Sequence, residues 1–286
     1  MTNKTVGAAL DGLISRLEKT SDTPGLDAQV VLAHVLEKPR SWMAAHPEAP
    51  LTQSRSDALE ALVARLEKGN PLPYVLGRWN FFGLEFEVTP DVLIPRPETE
   101  MLVERALAWL GERGAAKGER RVLDVGTGSG CIAIALTVNV ADLRLTATDI
   151  SPQALAVARR NAEKLRVSDR VTFLEADLIP DPSLPDPFSL ILANLPYIPT
   201  KTLHNLPIYG REPTVALDGG ADGLALIRKL LSQAPDLLAP GGLLMMEIEA
   251  SEGPAVLSLA YDAFAEAEIH LFRDLGDRDR LIQIQI

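Results

Sequence analysis

Apolar positions recur at helical spacing through the first part of the chain. Val6, Leu10, Leu13, Ile14 and Leu17 lie three or four positions apart and mark one amphipathic helix. Asp27 is placed to cap a second helix carrying Val30, Val31, His34 and Val35. Thr52 is placed to cap a third, whose apolar face holds Leu59, Leu62, Val63 and Leu66. Pro39, Pro47 and Pro50 break the stretches between, and Gly69-Asn70-Pro71-Leu72-Pro73 closes the series. The pattern predicts a small helical bundle over residues 1–70.

The rhythm then changes. Trp79 to Val88 is aromatic and its second half alternates apolar with polar, which predicts a β-hairpin within a linker over residues 71–92. From Glu98 a helix with Met101, Leu102, Ala106 and Leu107 leads into alternating strands and helices over residues 93–286. The strands are Arg121–Val125, Leu143–Thr148, Val171–Leu174, Phe188–Ala193 and Leu243–Ile248; the helices include Pro152–Leu165 and Leu224–Leu238. Such alternation predicts an α/β domain with a doubly wound, mainly parallel sheet. Ile269–Phe272 and Leu281–Ile286 read as two further strands with no helix between them, an antiparallel pair at one sheet edge. They bring the sheet to seven strands.

Composition narrows the function. The 286 residues, 47% hydrophobic and 23% charged, suit a soluble globular protein with one or two cores. No apolar run is long enough to span a bilayer, and Met1 to Leu17 lacks the basic-then-apolar order of a signal peptide, so the expectation is a cytoplasmic protein. Cys131 is the only cysteine, which excludes an internal disulfide. A net charge of −11 weighs against general nucleic-acid binding, which relies on Lys and Arg at phosphates. His34, His46, His204 and His270 are far apart and show no metal-ligand spacing; no metal is expected.

The strand ending at Val125 runs into Gly126-Thr127-Gly128-Ser129-Gly130 and then an apolar helix from Cys131. Glycines there let the backbone turn tightly and approach a ligand. Cys131 stands where the dinucleotide fingerprint needs Gly or Ala, which disfavours NAD and FAD, and no Lys-Ser/Thr follows to make a Walker A loop. Asp149 ends the next strand, where a carboxylate can accept both hydroxyls of a ribose. Asp177 follows the third strand, placed to face an adenine amino group. In this order the set points to S-adenosylmethionine, with S-adenosylhomocysteine as product.

Asn194-Leu195-Pro196-Tyr197 follows the strand Phe188–Ala193. An amide, a rigid turn and an aromatic ring suit a flat, neutral NH2 group as methyl acceptor. Asn194 Oδ1 and the Leu195 carbonyl can accept its two N–H bonds and free the nitrogen lone pair for the incoming methyl, while Tyr197 packs on its face. Transfer then gains chiefly from orientation. The only cysteine is committed to the helix after the glycine loop, which argues against carbon methylation. The motif alone leaves two acceptors open, a carboxamide and the N6 amine of adenine in RNA or DNA.

The chain resembles the HemK/PrmC family, the protein-(glutamine-N5) methyltransferases acting on class I peptide chain release factors. The resemblance runs through Asp27–Leu36, Pro73–Gly77, Leu93–Glu100, Leu123–Gly130, Asn194–Ile198, Glu212–Gly220 and Asp274–Arg280. It implies a class I S-adenosylmethionine-dependent, Rossmann-like catalytic domain behind a helical module that docks the release factor. The implied reaction methylates the glutamine of a Gly-Gly-Gln motif and so modulates translation termination. The family's cofactor positions fall on Gly126 to Gly130, Asp149, Leu178 (the residue after Asp177) and Asn194, and its substrate positions on Asn194 to Tyr197. Pro95-Arg96-Pro97 borders the active site in the family, with Thr99 or Glu100 toward the methionine end of the donor, while Glu212-Pro213 and Asp218-Gly219-Gly220 are candidates to shape the substrate mouth. Two positions depart from the family: Leu195 replaces its usual Pro, and Leu178 its frequent aromatic ring. A monomer with no nucleic-acid or membrane partner is the accompanying expectation.

Overall fold

A computed structural model describes residues 4–112, 121–179 and 186–286. The chain divides into two compact units, Met1–Arg78 and Trp79–Ile286.

The first unit contains α1 (Val6–Leu17), α2 (Pro24–Leu36), α3 (Arg40–Ala45), α4 (Gln53–Glu67) and the short α5 (Leu72–Leu76). Thr52 caps α4 as expected, its hydroxyl accepting the Arg55 N–H at 3.4 Å. Asp27 does not cap α2. Thr23 occupies that position, Pro24 supplies the first helical φ, and Asp27 lies in the first turn, where it accepts the Ser21 hydroxyl at 2.6 Å. The buried face of α2 is Ala28, Val31, Leu32 and Leu36, rotated from the expected stripe because this helix contacts both α1 and α4. His34 instead meets the Arg78 guanidinium at 3.0 Å. The unit runs past residue 70 because α5 buries Val75 in the same core.

The hairpin follows, with β1 (Arg78–Phe81) beginning at the last residue of the first unit and β2 (Leu84–Glu87) within the second. Phe82 and Gly83 both have positive φ, the backbone that a two-residue hairpin turn demands. Helix α6 (Glu100–Glu112) leads to β3 (Arg121–Val125), α7 (Cys131–Asn139), β4 (Arg144–Asp149), α8 (Pro152–Lys164), β5 (Val171–Glu175) and β6 (Phe188–Asn194). A single helical turn, α9 (Thr200–Leu203), precedes α10 (Ala225–Gln233), β7 (Leu238–Glu247), α11 (Gly253–Ala263), β8 (Glu268–Arg273) and β9 (Asp279–Gln285). The expected helix Leu224–Leu238 stops early: Pro235 cannot donate an N–H, and the chain tightens into a 3₁₀ turn over Ala234–Asp236 before entering β7.

The seven-stranded sheet has the order β5-β4-β3-β6-β7-β9-β8. The first five of these strands run parallel, and β9 enters antiparallel between β7 and β8. Side chains of α6, α7 and α8 pack on one face and those of α10 and α11 on the other. The strand order reverses beside β3, so a crevice opens past the carboxyl ends of β3 and β6, where open α/β sheets take ligands. Gly126 and Asn194 stand at those two ends.

Candidate active site

The glycine loop is held by its neighbours. Gly130 has φ +82°, and a Cβ there would sit 2.8 Å from Ile134 Cδ1 and 3.2 Å from Ala158 Cβ, so only glycine lets α7 and α8 close on the loop. Asn161, fully buried on α8, donates from Nδ2 to the Ser129 carbonyl and to the Glu87 carbonyl, both at 3.0 Å, while its Oδ1 accepts the Glu87 N–H at 2.7 Å. One side chain thus ties the loop to the hairpin. Beneath the loop, Asp124 is completely buried and accepts the Thr127 hydroxyl at 2.6 Å. Burial drives its carboxyl up to about 7 despite that bond.

Asp149 accepts the Gly128 N–H at 2.8 Å through Oδ2 and the Ser151 N–H at 2.9 Å through Oδ1. Burial raises its pKa, and these backbone N–H groups oppose the shift. Each carboxylate oxygen has two lone pairs, so the anchoring leaves room to accept ribose hydroxyls. A cavity of about 490 Å³ opens here, bounded by Gly126, Asp149, Ile150, Leu178, Asn194 and Gly219. Its volume, its largely apolar walls and the Asp149 carboxylate at the end of β4 suit an adenosyl cofactor. Asp177 borders the same cavity, with its carboxylate bound to Lys229 Nζ at 2.6 Å. Leu178 takes a left-handed backbone, φ +73°, and its carbonyl accepts the buried Thr148 hydroxyl at 2.6 Å. Cys131 is buried at the start of α7, and desolvation pushes its thiol up to about 12, so it is inert.

Asn194 and Glu247 are the last residues of adjacent parallel strands and stand in register. Their side chains share the sheet face that α6 covers, and Thr99, immediately before α6, arrives between them. Asn194 Nδ2 donates to Thr99 Oγ1 at 2.9 Å and to Glu247 Oε2 at 3.0 Å, and the Thr99 hydroxyl donates to the same Oε2 at 2.6 Å. The Tyr197 hydroxyl donates to Glu247 Oε1 at 3.4 Å. Burial raises the pKa of Tyr197, reinforced by the Glu247 charge. Thr99 therefore stands with Asn194 and Glu247, whereas Glu100 turns away and takes the Phe82 N–H of the hairpin at 2.7 Å.

Leu195 is buried, its Cδ2 3.3 Å from where a Gly126 side chain would begin. Pro196 lines the cavity beside it. The turn after them is braced by residues 217–219: Ile198 N–H donates to the Leu217 carbonyl at 3.0 Å, and Gly219 N–H to the Ile198 carbonyl at 2.9 Å. A Cβ on Gly219 would lie 2.8 Å from the Tyr197 backbone. Asp218 holds this strip by accepting the Thr200 hydroxyl at 2.7 Å and the Gly220 N–H at 2.9 Å, bonds that lower its pKa. Glu212 joins two further motifs by accepting the Ile94 N–H at 3.0 Å and the Arg96 guanidinium at 2.5 Å.

Gly126, Gly128, Asp149, Asp177, Leu178 and Asn194 to Pro196 border one crevice, whereas Thr127 and Ser129 are buried and Gly130 and Tyr197 lie outside the lining. Glu247 and Asn161 fall in no motif that the sequence offers, and Asp124, although inside the Leu123–Gly130 segment, was not among the expected site residues. Among the described residues no group of three or more His, Cys, Asp or Glu is arranged to hold a metal ion, and no helix is long and apolar enough to cross a membrane.

Fold and crevice together define a class I S-adenosylmethionine-dependent methyltransferase. Residues 122–206 match a methyltransferase domain and residues 8–77 the PrmC N-terminal domain. A methyltransferase from Pyrococcus furiosus has the same fold, with TM-score 0.51 and 18% identity over 82% of this chain and 98% of that one. So does the N-terminal domain of human METTL16, solved in complex with SAH, with TM-score 0.53 and 15% identity over 88% of this chain and 93% of that one. The release factor glutamine methyltransferase of Moorella thermoacetica is 40% identical over 278 residues, 96% of each chain. That of Bordetella pertussis is 40% identical over 259 residues, 90% of this chain and 93% of the relative. The chain belongs to the release factor glutamine methyltransferase family.

Proposed function

We propose that this enzyme transfers a methyl group from S-adenosylmethionine to the side-chain N5 of the glutamine in the Gly-Gly-Gln motif of class I peptide chain release factors. The observation that carries the reading is the orientation of Asn194. Its NH2 is committed to Thr99 and Glu247, and Oδ1 takes no hydrogen bond from the described residues. An outward carbonyl oxygen at the edge of the donor cavity is an acceptor for N–H, the group a glutamine carboxamide presents.

When bound, S-adenosylmethionine supplies an electrophilic methyl group on its sulfonium. Gly126 and Gly128 would give it a close backbone approach, Asp149 would accept its ribose hydroxyls, and Ile150 and Leu178 would flank its adenine. Asp177, bound to Lys229, would stand toward the adenine amino group. Asn194 Oδ1 and the Leu195 carbonyl accept the two N–H bonds of the glutamine, drawing its nitrogen out of conjugation. The Tyr197 ring, held by Glu247, covers the carboxamide, and Pro196 keeps the turn stiff. Orientation of this kind supplies several kcal/mol, roughly 7–11 in well-ordered intramolecular cases.

Adenine N6 is also an NH2 donor and would satisfy Asn194 equally. The relatives named for glutamine methylation, the match of residues 8–77 to the PrmC N-terminal domain and the net charge of −11 all favour the protein acceptor. The first unit then serves as the docking module for the release factor, and the enzyme works as a monomer in the cytoplasm, where its substrate acts. Competing a release factor against RNA and DNA for label from S-adenosylmethionine tests the choice. Label is expected on the protein; label on nucleic acid alone would reverse the reading.

A further inference from the structure

We propose that Glu247 is a positioning residue that sets the polarity of the acceptor site, by holding the Asn194 amide with its NH2 inward and its oxygen toward the substrate. The inference rests on the carboxamide-acceptor reading above and adds the group that enforces it.

The register of the sheet creates the contact. Asn194 and Glu247 end neighbouring parallel strands as Cα partners, so their side chains emerge side by side on one face. An ionised carboxylate only accepts hydrogen bonds. Glu247 Oε2 therefore requires hydrogen from both neighbours and receives it from Thr99 Oγ1 at 2.6 Å and Asn194 Nδ2 at 3.0 Å. Thr99, having donated its one hydrogen, can only accept from Asn194, and does so at 2.9 Å. Both partners thus demand N–H from the same amide. The reversed amide would set Oδ1 against two acceptors, so the orientation follows from the chemistry of the triad.

A carboxylate here is costly. Glu247 is 2% exposed, and a well-packed apolar side chain at such a site is often as stable or more so. Desolvation raises its pKa, while Thr99, Arg280 on β9 and Tyr197 oppose the shift and Glu98 reinforces it. Cys131 on α7 also feels the Glu247 charge and stays protonated under its own burial. On protonation Glu247 gains an O–H donor, the demand for N–H lapses, and the amide is free to turn its oxygen inward. Turnover should then fall toward acid, starting above the pH at which an exposed glutamate titrates.

The test compares wild type, Glu247→Gln, Thr99→Val and Thr99→Ser for kcat, KM for both substrates, S-adenosylmethionine binding by calorimetry and thermal melting, using a Gly-Gly-Gln release factor. Glu247→Gln is expected to lose about 10-fold or more in kcat while cofactor affinity stays within about 2-fold, and to lose the acid limb of the kcat profile. Thr99→Ser, which keeps the hydroxyl, should recover most of what Thr99→Val loses; this pair carries the test if Glu247→Gln does not fold. Undiminished kcat in Glu247→Gln, a persisting acid limb, or kcat lost only in step with cofactor affinity and melting temperature would overturn the inference. No transfer by wild type onto the factor would instead overturn the carboxamide reading.

Discussion

Arg96 Nη2 donates to Glu212 Oε1 at 2.5 Å, a bond between segments 116 positions apart in the chain. The other oxygen of Glu212 holds the Ile94 N–H, and Glu212 itself is buried. This carboxylate therefore fastens the Leu93–Glu100 segment to the turn before Thr214–Ala216, and both Leu93 and Thr214 border the donor cavity. Glu212→Ala should destabilise the protein by roughly 1–3 kcal/mol, since it leaves a cation and a buried N–H without their acceptor. It should also raise the KM for S-adenosylmethionine. Replacing both partners, Arg96→Met with Glu212→Leu, should cost less stability than Glu212→Ala alone. Denaturant melts of the three proteins check the order.

Asn194→Ala should lower kcat by roughly 100-fold, the scale of losing one preorganised hydrogen bond at a transition state. Thr99 and Tyr197 still donate to Glu247 in that variant, so its melting temperature should stay close to wild type. Single-turnover kinetics beside a thermal melt separate the two effects. Near-normal turnover would remove Asn194 from the mechanism.

Asp149→Ala should act mainly on the donor. It removes the proposed ribose acceptor and also frees the Gly128 and Ser151 N–H groups that the carboxylate now pins. The expected result is a KM for S-adenosylmethionine raised about 10-fold or more, the scale of losing one or two charged hydrogen bonds, with a smaller change in kcat. Calorimetric titration gives the affinity directly.

The glycine loop, Asp149, Asp177 and the Asn194 turn were legible because each sits at a strand end, and strand ends follow from the apolar rhythm. The helical first unit and the hairpin were legible for the same reason. Glu247 was hidden: its role depends on β7 lying beside β6 in a given register, and two strands with 43 residues between the end of one and the start of the next carry no local mark of that pairing. Asn161 was hidden likewise, as a polar residue in the middle of an amphipathic helix whose hydrogen bonds reach the hairpin and the glycine loop. The errors at α2 and α10 were of another kind. There, proline chemistry at Pro24 and Pro235 set the helix start and end in place of the nearest polar cap or the last apolar residue.

Stability should fall as pH rises toward 7. Asp124 is completely buried, and its carboxyl is raised from 3.8 to about 7, so the folded chain keeps a proton that the unfolded chain has already released. The stabilisation is full below about pH 4 and is lost as pH climbs through 7, with a slope near 1.4 kcal/mol per pH unit for one such group. Asp149, Glu247 and Glu252 shift in the same direction and add to it. Melting curves between pH 5 and pH 8 should therefore descend in wild type and flatten, without becoming level, in Asp124→Asn.

The most direct test is to locate the methyl group. A class I release factor is incubated with the enzyme and S-adenosylmethionine, and its Gly-Gly-Gln peptide is fragmented in a mass spectrometer. One methyl on the glutamine side-chain nitrogen is the expected result, absent from a factor whose glutamine is replaced by alanine and absent with the Asn194→Ala enzyme. Methyl on another residue, or equal labelling of the alanine-substituted factor, would contradict the account.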